Sequence, residues 1–304
     1  MKNAIDYLLA LLLVVILPIQ LIAQANDRRI LDISLSAGLM ADNLKWSIAG
    51  NLNGTNPNIY SELIWKDMLA SQVKLDIQYD FWKHFFFLAD VSGGFILSGS
   101  ATDSDYEQDN RTSRTFYAKL NSDRGMSYTI HPLIGYTIVA SKNIQFSPAI
   151  GYGWNSQRLY LLDNAGLNST YQTFWNGLIT RIGTQVKFNR MVTAFGLDYH
   201  QVNYNAKADW NLVESFKHPV SFEHTAKGYG VEVEVRLGYA ISESLLIQLQ
   251  GGAWKWSTGL GIDQLYLNDG TVEKTRLNDV TRNGYVIRAG ILYVFRSAQL
   301  KNQE

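Results

Sequence analysis

The sequence predicts an all-β fold: a transmembrane antiparallel up-and-down β-barrel of ten strands. Three observations carry this. Apolar and polar residues alternate with a period of two over most of the chain, the connections switch regularly between short and long, and aromatic residues gather where the alternating runs end. Composition agrees, with 24 Gly, 17 Tyr, 13 Phe and 8 Trp against only 5 Pro in 304 residues, a profile of aromatic-rich strands in one large barrel.

The chain opens with Lys2 and an apolar stretch that contains Pro18 and ends in the small-x-small triplet Ala23, Gln24, Ala25. This pattern is that of a secretory signal cut after Ala25, so residues 1–25 are expected to be removed and residues 26–304 to form an exported barrel. An N-terminal anchor is the other reading. The apolar part before Pro18 is short for a membrane span, and no basic stop-transfer cluster follows at once.

Beyond it the period of two defines strand after strand. Leu31, Ile33, Leu35, Ala37 and Leu39 alternate with Asp32, Ser34, Ser36 and Gly38. Val73, Leu75, Ile77, Tyr79 and Phe81 oppose Lys74, Asp76, Gln78 and Asp80, and Asp90, Ser92 and Gly94 mark the polar face of the third run. Later, Tyr229, Val231, Val233, Val235, Leu237 and Tyr239 oppose Glu232, Glu234 and Arg236. The last run sets Tyr285, Ile287, Ala289, Ile291, Tyr293 and Phe295 against Arg288. Four tight connections, near 80–84, 141–143, 189–190 and 242–244, separate five long ones over 42–59, 102–125, 163–171, 206–225 and 264–282. Short turns at one membrane face and long loops at the other are the barrel pattern, and an even strand count leaves both termini on the short-turn side.

The apolar face then meets lipid and the polar face lines the lumen. Aromatics at Phe81, Trp82, Phe85 to Phe87, Trp254 and Trp256 are expected at the membrane interfaces. Asp32, Lys74, Asp76, Asp90, Arg181, Lys187, Glu232, Glu234, Arg236 and Arg288 fall on inward phases, where charges of both signs pair and fill a narrow interior. A wide pore is disfavoured. Cysteine is absent, which excludes disulfides and thiol chemistry, and 27 basic residues balance 27 acidic ones, which excludes the footprint of a nucleic-acid binder. No phosphate loop, metal-ligand spacing or nucleophile elbow occurs, so no cofactor is expected.

The chemistry-bearing stretch is "SGSATDSDYEQDN", residues 98–110, with Asp103 and Asp105 spaced i, i+2 so that a strand aims both carboxyls to one side. Together with "SELIWK" at residues 61–66 and "YVIRAGILYVF" at 285–295, this pattern resembles the omptins, outer-membrane endopeptidases of Gram-negative bacteria. The resemblance implies a groove at the outer rim in which two Asp on one wall face an Asp-x-His on the other and hold a water for peptide hydrolysis. Asp103 and Asp105 match the first pair. The second falls on Asp209 and Asn211, so an amide stands where the imidazole base is expected, and proteolysis is expected to be weakened or lost. The stretch "GYGWNSQRLY" lacks the Tyr-x-Glu-x-Arg arrangement that omptins use toward lipopolysaccharide and keeps only Arg158 for a phosphate contact, while the first loop, "NLNGTNPN", lacks the acid that would select Lys or Arg.

The other histidines are the alternative sources of an imidazole base. Asp198 and His200 also form Asp-x-His, but nine strand residues below Asp209, deep in the lumen unless "DYH" sits at the rim. His218 and His224 fall in the fourth long loop, where the chain could bring either over the groove, and are read as surface-loop residues without a role; His131 and His84 are read as structural. The acid pair also carries a phase problem, because Asp90, Ser92 and Gly94 make even positions inward while Asp103 and Asp105 are odd. A one-residue slip at Gly99, with a matching slip near Gln201 and Val202 for Asp209 and Asn211, would turn all four inward. Without the slips the stretch is a solvated acidic loop.

Three functions stay open: an omptin-type endopeptidase, a non-catalytic surface barrel for binding or adhesion, and a small-solute porin. The expected partners are outer-membrane lipid, including lipopolysaccharide, and an extracellular peptide or protein, with the chain a monomer. Mass spectrometry of the protein recovered from outer membranes should give a mature form beginning at Asn26; a chain retaining residues 1–25 would identify an anchor instead.

Overall fold

The computed structural model describes residues 29–296, so the expected signal segment and the tail after Arg296 lie outside the described residues. Twelve strand segments form one antiparallel sheet: β1 (Arg29–Ile48), β2 (Ser61–Trp82), β3 (Phe85–Gln108), β4 (Thr112–Asn121), β5 (Gly125–Tyr136), β6 (Ile138–Val139), β7 (Ile144–Leu162), β8 (Asn168–Phe188), β9 (Met191–Asp209), β10 (Phe222–Ala240), β11 (Leu245–Tyr266) and β12 (Val272–Arg296). β1 pairs with both β2 and β12, which closes the sheet into a ring. β4, β5 and β6 share one position: residues 100–108 of β3 pair with β4, residues 85–95 pair with β5, and β5 and β6 both pair with β7. The barrel therefore has ten staves, the fourth of them interrupted.

The outward face carries an exposed apolar belt that includes Leu35, Val73, Phe95, Leu97, Ile150, Ile182, Val235, Leu249 and Ile287. In lipid such a face costs nothing to expose, and closure leaves no edge strand without partners. At the short-turn end Trp82 stacks on Phe85 at 5.5 Å, in keeping with an interfacial aromatic cluster. Trp254 and Trp256 do not join it. They share the even, inward phase of Gln248 and Gln250, and Trp256 is fully buried, because a ring placed on that phase above the belt packs inside the barrel.

The strands run farther than the alternation predicted. The five outer connections shrink to residues 49–60, 109–111, 163–167, 210–221 and 267–271. In β9 the cause is visible: below Gln201 the odd positions are apolar and face lipid, whereas above it Val202, Tyr204, Ala206 and Ala208 are buried and Gln201, Asn203 and Lys207 are not. The register to β8 and β10 is unbroken through this point. The expected slip near Gln201 is absent. What changes is the outer medium, from lipid to water, so polarity swaps faces while geometry does not.

On β2, β3 and the fourth stave the phase does change, at one height. Lys66 pairs with Ser100, Leu69 with Ser98 and Ala70 with Ile96, so Asp67 and Met68 bulge opposite Gly99. Asp67 takes the left-handed conformation, with φ 54°, and its N–H donates to Asn43 Oδ1 at 3.0 Å. Residues 122–124 break the fourth stave at the same level. Above these irregularities Leu63, Trp65 and Ala101 are inward; below them Lys74, Asp76 and Asp90 are.

The lumen has two storeys. The upper one is apolar: Trp65 of β2 stacks on Tyr171 of β8 at 5.2 Å, Trp46 of β1 meets Phe222 of β10 at 5.9 Å, and Trp175 meets Trp256 at 5.7 Å, with Leu44, Leu159 and Leu277 buried around them. The lower one is ionic. Arg181 reaches Asp90 and Asp198, each at 2.6 Å, Lys74 joins Asp76 and Glu234 at 2.9 Å, Arg236 joins Asp76 at 3.0 Å and Arg288 joins Glu234 at 2.6 Å. A cavity of about 260 Å³ lies among these groups, lined from Asp32 and Leu292 near the short turns up to Trp254 and Arg282. Arg181→Leu leaves Asp90 and Asp198 without their cation and is expected to cost about 3–5 kcal/mol. Denaturant unfolding followed by tryptophan fluorescence should register the loss, and adding Asp90→Asn and Asp198→Asn should recover most of it.

Candidate site at the outer rim

The bulge at Asp67 and Met68 places the acid pair. Above it Asp103 pairs with Leu63 and Asp105 with Ser61, so both acids stand on the face that Leu63 and Ala101 turn into the barrel. They lie above Phe95 and Leu97, which mark the top of the lipid belt on β3. The slip at Gly99 that the sequence requires for this pair is present. Burial, and then the neighbouring charge of Asp105, push the Asp103 carboxyl up to about 7. Asp105 is raised as well, by burial, against a hydrogen bond from the Ser61 hydroxyl. Neither has a basic side chain at ion-pair distance among the described residues.

The wall behind them is braced. Arg111 grips Glu62 through Nε at 3.1 Å, the Asn58 N–H donates to Asp109 Oδ1 at 2.7 Å, and the Asn110 N–H donates to Asn58 Oδ1 at 2.8 Å. The tip of the β3–β4 hairpin is thereby fastened to the β1–β2 connection. The acid pair sits on a rigid hairpin and not on a loose loop.

The opposite wall is different. Asp209 ends β9 at an odd position, opposite Thr170, while Ala208 beneath it belongs to the buried core. Its Oδ1 lies 2.6 Å from His218 Nδ1, in the connection before β10. Asn211 is committed elsewhere: its Oδ1 accepts from the Asn168 N–H at 2.8 Å and the Ser169 hydroxyl at 3.1 Å, and its Nδ2 donates to the Gly166 carbonyl at 3.1 Å. The amide thus ties the β9–β10 connection to the start of β8 through Oδ1 and to the β7–β8 connection through Nδ2. Asp103 and Asp105 are thus brought together, Asp209 is joined to His218, and Asn211 is placed with neither. Between the walls stand the Trp46, Trp65, Tyr171 and Phe222 rings.

Histidine placement departs from the loop reading. His224 is in β10, fully buried, with Nδ1 at 2.8 Å from the Tyr171 hydroxyl, Nε2 at 3.1 Å from Asp263 Oδ1, and Tyr204 joined to Tyr171 at 2.7 Å. Extending the even phase of Glu232 and Glu234 back along the chain reaches it. His218 has no such signal, since it lies in the connection between β9 and β10 and eight residues without strand alternation separate it from Asp209. His131 accepts a structural role beside Asn155 Oδ1 at 3.0 Å, and His200, opposite Ile179 and Gly230, lies deep in the lumen.

The raised Asp103 carboxyl binds its proton more tightly in the folded chain than in the unfolded one. Its contribution to stability is therefore complete below about pH 4 and is lost as pH rises through about 7. Asp103→Asn should gain on the wild type between pH 4 and pH 8 by on the order of 3 kcal/mol. Paired unfolding titrations across that range check it; parallel curves would mean that Asp103 ionises as an ordinary surface acid.

In the outer membrane protease OmpT from Escherichia coli the fold recurs with a TM-score of 0.70 at 14% identity, covering 88% of this chain and 97% of that one. The outer membrane protein OprG from Pseudomonas aeruginosa aligns with a TM-score of 0.40 at 13% identity, covering 88% of this chain and 97% of that one. The translocator domain of the autotransporter NalP from Neisseria meningitidis aligns at 0.41 and 10%, covering 96% and 98%. No curated protein matches by sequence. A family model described as Protochlamydia outer membrane protein matches residues 34–295, nearly the whole barrel. This chain is an outer-membrane β-barrel and belongs to the Protochlamydia outer membrane protein family.

Proposed function

We propose that the protein is a closed, non-catalytic surface barrel whose outer rim binds a cationic side chain of an extracellular peptide or protein. The observation that carries this is the contact of opposite walls beneath the rim, Trp65 on Tyr171 at 5.2 Å and Trp46 against Phe222 at 5.9 Å. A core of packed rings at that level supports neither an open path for solutes nor a cleft between two catalytic walls. The acid pair supports binding: among the described residues Asp103 and Asp105 have no basic side chain at ion-pair distance, and a Lys or Arg side chain laid across them would offset the burial and the like charge that together raise Asp103. A bivalent or extended basic ligand fits better than a single amine, because an exposed single ion pair contributes about 1 kcal/mol or less.

One contact favours peptide hydrolysis as a second reading. With Nδ1 held by Asp209 at 2.6 Å, His218 keeps Nε2 for a proton, as a base oriented by a carboxylate requires. It would supply the imidazole that Asn211 does not.

Folded protein in lipid should bind a fluorescent oligolysine peptide, with affinity reduced about tenfold or more in the Asp103→Asn, Asp105→Asn double variant. It should pass no current steps in planar bilayers and leave a quenched peptide library intact from pH 4 to 9. Cleavage that disappears in both Asp103→Asn and His218→Ala would transfer the assignment to hydrolysis, and conductance steps would transfer it to a channel.

A further inference from the structure

We propose that Asp198, His200 and Glu232 form a site for one divalent transition-metal ion in the lower lumen. Asp198 and Glu232 face each other across the β9–β10 ladder, and His200 stands one inward step above, opposite Gly230. One ligand atom from each lies within 4.8 Å of the others. Two ligands bonded to one ion at about 2.1 Å sit up to about 4.2 Å apart, so a small turn of the half-exposed Glu232 carboxyl brings the three atoms onto one centre.

A second observation points to a ligand independently of the cluster. His200 is 2% exposed, and its Nε2 has no hydrogen-bond partner among the described residues. The nearest acidic oxygen, Glu232 Oε1, is 3.8 Å away, too far for a hydrogen bond, yet on the side of the ring from which an ion would be held. Glu232 accepts only the Trp256 N–H, at 3.1 Å, and has no Lys or Arg at ion-pair distance among the described residues.

Charge and access agree. Asp90 and Asp198 share the one guanidinium of Arg181, and Glu232 adds a third carboxylate with no Lys or Arg at ion-pair distance among the described residues, a local shortage of positive charge that a cation offsets. Arg181 occupies Asp198 Oδ1 at 2.7 Å and Oδ2 at 2.6 Å, but each carboxylate oxygen keeps a second acceptor position, which lets Asp198 lie between guanidinium and ion. One imidazole and two carboxylates suit zinc, cobalt or manganese better than calcium. Asp198 and Glu232 line the 260 Å³ cavity, from which an ion can enter and water can complete its shell.

The test uses the untagged full barrel, folded in detergent micelles and stripped with EDTA, titrated with Co²⁺ and then Zn²⁺. One Co²⁺ should bind per chain, with ligand-field absorption and quenching of Trp256, whose ring lies 4.4 Å from that of His200, and Zn²⁺ should displace it. His200→Asn and Glu232→Gln should each weaken binding about tenfold or more, while His84→Asn, at a short turn, leaves it unchanged. Absence of stoichiometric Co²⁺ on the wild type overturns the proposal, as does an affinity within twofold of wild type in both lumen variants.

Discussion

The pairing of β1 with β12 is the interaction on which everything else rests. It runs from Leu31 with Phe295 to Ile48 with Leu277 and removes the one edge at which backbone groups would meet hydrocarbon unpaired. Once the ring closes on ten staves, the interior holds side chains in contact with one another and little else. Most inward residues are then apolar or matched, with His200 Nε2 among the exceptions. The two-storey lumen follows from that condition: rings and aliphatic chains above, and below them the chain of pairs through Arg181, Lys74, Arg236 and Arg288.

The storeys meet at the height where β2, β3 and the fourth stave change phase. Asp67 and Met68 opposite Gly99 do more than accommodate an extra residue. They turn Leu63, Trp65 and Ala101 inward, which builds the aromatic core, and they turn Asp103 and Asp105 inward above it, which builds the acid pair. One local irregularity thus serves both packing and the rim chemistry, a common use of bulges in barrels. The resulting acids are strained by burial and by each other, and their support comes from the Glu62, Arg111 and Asn58 bracing behind them.

Much of this was legible in the sequence because lipid imposes a simple rule. Where the outer medium is hydrocarbon, period-two alternation identifies both faces, and the inward placement of Asp90, Arg181, Glu234, Arg236 and Arg288 could be read directly. Above the belt the rule inverts. Tyr204, Ala206 and Ala208 are inward and Lys207 is outward with the register of β9 unbroken, so the slip that the resemblance requires to turn Asp209 and Asn211 inward is not there. The same inversion hid Trp256 and His224 inside the barrel. The Asp209–His218 contact and the tethering role of Asn211 depend on how two connections fold over each other, and no spacing along the chain encodes that.

The length of β3 has a mechanical meaning. Its 24 residues at about 3.3 Å each trace roughly 80 Å, and at a barrel tilt of about 40° they rise roughly 60 Å, against an apolar band of about 25 Å. With Phe85 at the short-turn side, most of the excess projects outward. The β3–β4 hairpin is a rigid mast, tall enough to carry its tip clear of lipid headgroups, and a load applied there is carried down two paired strands into the membrane-embedded wall.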